Sequence, residues 1–315
     1  MSHNLEAELD SLLGTMDWVP NFCTERPELQ SESASIRQFF LALRDDKPMM
    51  MELAAKLADQ IIGYCLPRKR LAKAIVRHGK NLVDLAAAMA TLRRDARHAF
   101  QKYRTDFPAR SGEGGEMLAY VFVEHFLRAP MAIAKMHAKT NTTMPVFGAD
   151  GVHVKYRSAS DQLEVIYLES KVHKTIDSAA NDASKSIGDF RDGMKQTVEL
   201  RLTLDLGNFD QLDEAAQQAL EDFLDPYSGV QTAKRLDTHA CLLAYNEPAF
   251  ESVSGSSATG VLEKAFSDGC EARRAMVSNA YKKRDLPEDK IVTFVLGFPS
   301  VAEFREEFER ALSNG

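Results

Sequence analysis

Cysteine is scarce in this chain. There are four among 315 residues, at positions 23, 65, 241 and 270, and none forms a Cys-x-x-Cys pair. That scarcity makes a zinc site less attractive, and it points to free thiols in a reducing compartment. No apolar run is long enough to span a bilayer, and the first residues lack the basic and hydrophobic stretches of a secretory signal. A cytoplasmic protein without a membrane partner is therefore expected. Short-period repeats and long low-complexity tracts are also missing. Nor is there an excess of positive charge: the formal net charge is −7, which counts against a chain that binds nucleic acid through bulk charge.

The distribution of charge is uneven. Residues 1–66 carry 5 basic and 11 acidic side chains, whereas residues 68–110 carry 12 basic and 3 acidic. Residues 111–175 balance at 7 and 7, and residues 176–315 carry 15 and 25. The basic belt at 68–110 suits a phosphate backbone, an acidic partner surface or a solvated helix. Within it, Leu82, Leu85, Met89, Leu92, Ala96, Phe100 and Tyr103 form an apolar stripe with Arg93, Arg94, Arg97 and Arg104 on its flank. Residues 105–115, with Pro108 and the glycine-rich stretch from Ser111, make the best linker. The chain is long enough for one large domain or two smaller ones. The division expected is a helical region at 1–110 and an α/β domain at 111–315.

Three short pieces carry the chemistry. The run Leu163–Val172 is rich in β-branched and aromatic residues, and its period of two puts Leu163, Val165, Tyr167, Glu169 and Lys171 on one face. An apolar strand that ends with an acid and an amine on one face must solve a desolvation problem, by a simple ion pair or by a site. The turn Gly148-Ala149-Asp150-Gly151 opens a second strand, Val152–Tyr156. An antiparallel hairpin would bring Asp150 near Glu169. Finally, Glu116 heads a helix predicted to run to Leu127, on the side of Tyr120, Val123 and Leu127, where an acid rarely sits without a partner. A further strand is predicted over Met131–Lys139, with Lys135, His137 and Lys139 alternating onto one face. His153 and His173 extend the polar positions around Asp150 and Lys171 and are candidates for phosphate contact.

The rest reads as α/β. Helices are predicted over Ile176–Phe190, Met194–Leu206, Asp213–Leu224 and Ala258–Arg284, and strands over Thr238–Tyr245 and Lys290–Gly297. The end carries the stripe Val301, Phe304, Phe308, Leu312. Strands alternating with helices imply a mixed central sheet covered on both sides.

The order helix with acid, strand, strand with Asp, strand with Glu-x-Lys resembles the restriction-endonuclease-like PD-(D/E)XK superfamily. More narrowly, Gly115-Glu116-Met117-Leu118, Gly148-Ala149-Asp150-Gly151-Val152-His153 and Leu168-Glu169-Ser170-Lys171 resemble the effector nuclease subunit of the Hachiman anti-phage defence system. The likeness covers about residues 111–200, and Ala149 stands where the superfamily usually has proline. It implies a metal-dependent deoxyribonuclease with Glu116, Asp150, Glu169 and Lys171 as catalytic residues. Asp150, Glu169, the Ser170 carbonyl and Glu116 would offer oxygens to Mg²⁺, with Mn²⁺ as a substitute. Lys135, Lys139, His153, His173, Arg93 and Arg97 are candidate DNA contacts. The implied partners are DNA and a superfamily 2 helicase. A catalytically inactive subunit that regulates the helicase, or a sequence-specific restriction enzyme, are the alternatives.

Overall fold

A computed structural model describes residues 2–26, 35–106, 112–136, 148–191, 193–228, 234–252 and 258–314. Its centre is a six-stranded mixed sheet. The strands are β1 (Cys23–Glu25), β2 (Ile36–Leu41), β5 (Gly151–Arg157), β6 (Gln162–Val172), β7 (Arg235–Asn246) and β8 (Ile291–Phe298), in the order β1-β2-β8-β7-β6-β5. A small separate hairpin joins β3 (Leu43–Arg44) to β4 (Lys47–Pro48). β6, β7, β8 and β2 run parallel, and β5 and β1 close the two edges antiparallel. The predicted β5–β6 hairpin and both later strands are present. β7 is buried from Thr238 to Tyr245, as a central parallel strand covered on both faces requires.

The helices are α1 (Ser2–Ser11), α2 (Met50–Asp59), α3 (Ile61–Cys65), α4 (Arg68–His78), α5 (Leu82–Asp106) and α6 (Glu113–Phe122), then α7 (Ile176–Phe190), α8 (Gly193–Leu206), α9 (Glu214–Leu224), α10 (Ala258–Asp268), α11 (Cys270–Lys282) and α12 (Val301–Asn314). Side-chain alternation in β6 decides which layer each covers. Ile166 and Leu168 face a core shared with α2, α3, α6 and α12. Leu163, Val165 and Tyr167 face the other side, where α8 and α9 cover the edge hairpin. On that same side α7 and α11 cover Cys241, Leu243 and Tyr245 of β7. The predicted C-terminal stripe buries Val301, Phe304, Phe308 and Leu312.

Several elements differ from expectation. The N-terminal region is not helical throughout, since β1 and β2 extend the central sheet, and its residues from Met16 to Phe100 share one core with residues of α6, β8 and α12. The helix predicted to run to Leu127 leaves α geometry at Phe122 and continues as a π turn, Val123–Leu127, ended by Arg128 at φ 54°. The wider turn swings Glu124 inward, where it accepts from the Gly14 and Met131 amides, each at 3.1 Å. The strand predicted from Met131 is a single bridge to His153 followed by a bend, and residues 137–147 lie outside those described. The long helix predicted over Ala258–Arg284 is two, broken at Gly269. There the Arg273 guanidinium folds back to the Phe266 carbonyl and Glu247, and a Cβ on Gly269 would sit 2.5 Å from it. Among the described residues, no helix is long and apolar enough to cross a membrane.

An aromatic nest pins the parallel strands to α6. Phe294 of β8 meets Phe122 at 5.4 Å and Phe126 at 5.8 Å between ring centroids, beside Phe39. Truncating it leaves a large void, so Phe294→Ala is expected to cost about 3–5 kcal/mol. Denaturant unfolding monitored by circular dichroism measures this, and a loss below 1 kcal/mol would contradict the packing described.

Candidate functional site

The β5–β6 pairing sets the site. Gly151 pairs with Leu168, and the Asp150 amide donates to the Leu168 carbonyl at 2.8 Å. In return the Ser170 amide donates to Asp150 Oδ2 at 2.8 Å. Asp150 is thereby tied to the backbone between Glu169 and Lys171. Those two share a face, and Lys171 Nζ lies 2.7 Å from Glu169 Oε1. α7 closes over them: Asp182 Oδ2 is 3.9 Å from Lys171 Nζ and 3.1 Å from His173 Nε2, and Ser186 hydrogen-bonds Glu169.

α6 reaches the same strand end from the opposite layer. A Cβ on Gly115 would lie 2.5 Å from Val172 Cγ2 and 2.7 Å from Ser170 Oγ, so only glycine allows this approach. Glu116, the next residue, is buried and accepts from the Tyr64 hydroxyl at 2.7 Å.

The electrostatics bind these groups together. Burial holds the Glu169 carboxyl above the usual carboxylate range. The Lys171 ammonium and the Ser186 hydrogen bond pull the other way, and the Glu116 charge adds to the rise. For Lys171 burial favours loss of the proton, but the Glu169, Asp150 and Asp182 carboxylates outweigh it and leave the ammonium raised. Tyr64 is raised too, by burial and then by Glu116, with Asp150 contributing.

Among the described residues, no group of three or more His, Cys, Asp or Glu side chains is set to hold a metal ion. The donor set nonetheless fits magnesium, which is commonly held by one or two carboxylates with waters and substrate phosphate. Asp150 and Glu169 are two such carboxylates, joined by the Ser170 backbone. Sulfur offers little to zinc here: Cys241, beside Glu169 in register, is fully buried, and burial pushes its thiol pKa up, away from the thiolate that zinc needs.

The sequence profile of the HamA family matches residues 16–312, which includes every residue of this cluster. The chain belongs to the HamA family. Membership makes it a protein of the Hachiman anti-phage defence system. No curated protein matches the chain.

In this HamA-family fold, Glu116, Asp150, Glu169, Ser170, Lys171 and half-exposed His173 gather at one strand end. The remaining expected contacts do not join them. Lys135 is an interior residue: its ammonium pairs with Glu199 and donates to the Ala149 carbonyl. This buried pair underlies the turn that bears Asp150, and a Cβ on Gly148 would lie 2.0 Å from Glu199 Oε2. Lys135 is thus a prop for the turn rather than a DNA contact. His153 is also corrected, because it is fully buried, with Nδ1 2.9 Å from the Ala129 carbonyl. Arg93 pairs with Asp59 at 3.3 Å and Arg97 donates to the Ser313 carbonyl at 2.7 Å, so both are engaged within the helical layer. Lys139 lies outside the described residues.

Sequence reasoning missed Tyr64, Asp182, Ser186 and Glu199. Only Asp182 and Ser186 left a trace, a polar i, i+4 pair beside the apolar stripe of α7. Tyr64 and Glu199 meet their partners across 52 and 64 residues of chain, beyond any local pattern.

His153 gives a pH test. Burial pushes its imidazole from 6.5 down to about 4, so the unfolded chain takes up a proton first as pH falls. Its contribution is complete above pH 6.5 and is lost on acidification, by about 3 kcal/mol from pH 7 to pH 4. The raised carboxyls of Glu124 and Glu169 act in the opposite sense, so the difference from His153→Gln isolates the effect. Denaturant unfolding should show a shallower acid loss in the variant, and parallel profiles would refute this account.

Proposed function

We propose that this chain is a metal-dependent DNA endonuclease of the PD-(D/E)XK type, the effector of a Hachiman system that works with a superfamily 2 helicase. The observation that carries the reading is the meeting of Asp150, Glu169 and Lys171 at the end of β6, with the Glu116 charge adding to the rise of the Glu169 carboxyl. Asp150, Glu169 and the Ser170 carbonyl would hold Mg²⁺ or Mn²⁺, and Glu116 would bind it or orient the substrate. A cation held by these residues would supply Lewis-acid activation of a phosphoryl oxygen and of a water.

The protein's own groups do the rest. The Lys171 ammonium sits where it can stabilise charge growing on the phosphoryl oxygens. Asp182 and Ser186 hold Lys171 and Glu169 in place from α7. Tyr64 fixes the orientation of Glu116 through its 2.7 Å hydrogen bond. His173, beside Lys171, is available to the phosphate backbone.

Incubating supercoiled plasmid with the chain, with and without its helicase, in Mg²⁺ or EDTA, tests this reading. Cleavage is expected only with the metal, and Lys171→Ala is expected to slow it by about 10²–10³-fold. Cleavage that survives Lys171→Ala unchanged would refute the assignment. Complete inactivity with the helicase present would favour the regulatory subunit, and discrete fragments would favour a restriction enzyme.

In this reading residues 111–315 hold the catalytic part, and residues 1–110 bind the partner or guide DNA. One feature supports the N-terminal region as the helicase-docking surface. Where α4 turns into α5, Ile75, Val76, Leu82 and Val83 are 54%, 85%, 80% and 77% exposed. Lys73, Arg77 and Lys80 flank them. Monomeric proteins seldom leave such a cluster in water without a binding role. The double variant Val76→Asp, Val83→Asp is expected to lose co-purification with the helicase while keeping its fold, and an intact complex would rule this surface out.

A further inference from the structure

A cavity of about 400 Å³ opens on the sheet face that carries Glu169 and Lys171, under the C-terminal end of α7. Its polar lining comes from separate segments: Arg191 just past α7, Gln196 on α8, Asp237 and His239 on β7, and Lys290 immediately before β8. Ile187 gives it an apolar wall. The volume lies in the range of small-molecule sites.

The hydrogen-bonding balance of the lining is one-sided. Asp237 is already engaged, accepting from the Tyr167 hydroxyl at 3.1 Å and facing Arg235 at 3.3 Å. Arg191 spends one N–H on the Asp285 carbonyl at 3.1 Å, and its other donors remain. Among the described residues, the Lys290 ammonium, the Gln196 carboxamide and the His239 ring nitrogens have no hydrogen-bond or ion-pair partner. The cavity therefore offers two cations and neutral polar groups against one satisfied carboxylate. A guanidinium with an ammonium matches phosphate oxygens. His239 and Ile187, both largely buried, line the floor of the cavity.

We propose that this cavity binds a nucleoside phosphate, with the phosphate on Arg191 and Lys290, the base against Ile187 and His239, and Gln196 at the base edge. It is distinct from the β6 cluster. His239 pairs in register with Tyr167, two residues before Glu169, and the Tyr167 and Phe190 rings stand 4.8 Å apart between centroids as a partition. The two sites share α7: Asp182 and Ser186 reach Lys171 and Glu169, while Ile187, on the next position, faces the cavity. Occupancy would thus be felt at the nuclease cluster, a consequence that rests on the nuclease reading. Binding itself does not.

The test is isothermal titration of the full chain in EDTA, which keeps metal-bridged phosphate away from the β6 cluster. ATP, dAMP and inorganic phosphate are the probes. Saturable binding of a nucleotide is expected, with inorganic phosphate at least tenfold weaker. Lys290→Glu and Arg191→Glu should each weaken the nucleotide at least tenfold. Both side chains are exposed, and a thermal melt of each variant checks that the fold is kept. Absence of saturable nucleotide binding, phosphate binding as tightly as nucleotide, or affinity unchanged in both variants would overturn the proposal. Because no cleavage is measured, this result and the plasmid assay fail independently.

Discussion

The hydrogen bond from the Ser170 amide to Asp150 Oδ2, 2.8 Å long, joins the turn before β5 to the polar end of β6. It works together with the register in which Gly151 faces Leu168. A slip of one residue would send Glu169 and Lys171 to the opposite face and bring Ser170 and Val172 to theirs, because side chains alternate strictly along a strand. The apolar residues guard against that slip. Leu163, Val165 and Tyr167 fill one core while Ile166 and Leu168 fill another, so a shifted strand would mismatch both. The polar cluster is thus held in place by hydrophobic packing several residues away.

Buried charge is compensated throughout this region, though by different means. Lys171 and Glu169 pair at the strand end, where some exposure remains and α7 adds Asp182 and Ser186. Lys135 and Glu199 pair in the interior, at 5% and 1% side-chain exposure, and support the Asp150 turn from below. Removing one partner of such an interior pair leaves an uncompensated charge and costs about 3–5 kcal/mol. One pair keeps some contact with solvent, and the other is a prop. The same lysine-acid chemistry serves two purposes because burial differs.

Two glycines show how closely the backbone must approach here. Gly115 lets α6 abut Ser170 and Val172, which brings Glu116 to the end of β6 from the far layer. Gly148 leaves room for the Glu199 carboxylate beneath the turn. In the sequence both look like ordinary glycines of a helix entry and a turn. Their tertiary neighbours explain why a side chain has no place at either.

Local pattern was enough for the β5–β6 hairpin, for β7 and β8, for α7 and for the stripe of α12, because each writes its period in adjacent residues. The same alternation placed Glu169 with Lys171, and the motif order pointed to Asp150 and Glu116. It failed where long-range contacts override local preference. Glu124 turns inward on a π turn, Arg273 folds back beside Gly269, and β2 reaches the sheet only by pairing with β8, more than 250 residues along the chain. Lys135 and His153 followed the alternation of exposed strand residues, yet they point into the interior, because exposure depends on what packs on top and not on period. Sequence alone determined the strands and helices that carry the acids and the lysine, since those depend on neighbouring residues. Tertiary structure decided which polar groups meet, which are buried and which helix holds them, since partners such as Tyr64 and Glu116 are brought together only when distant layers pack.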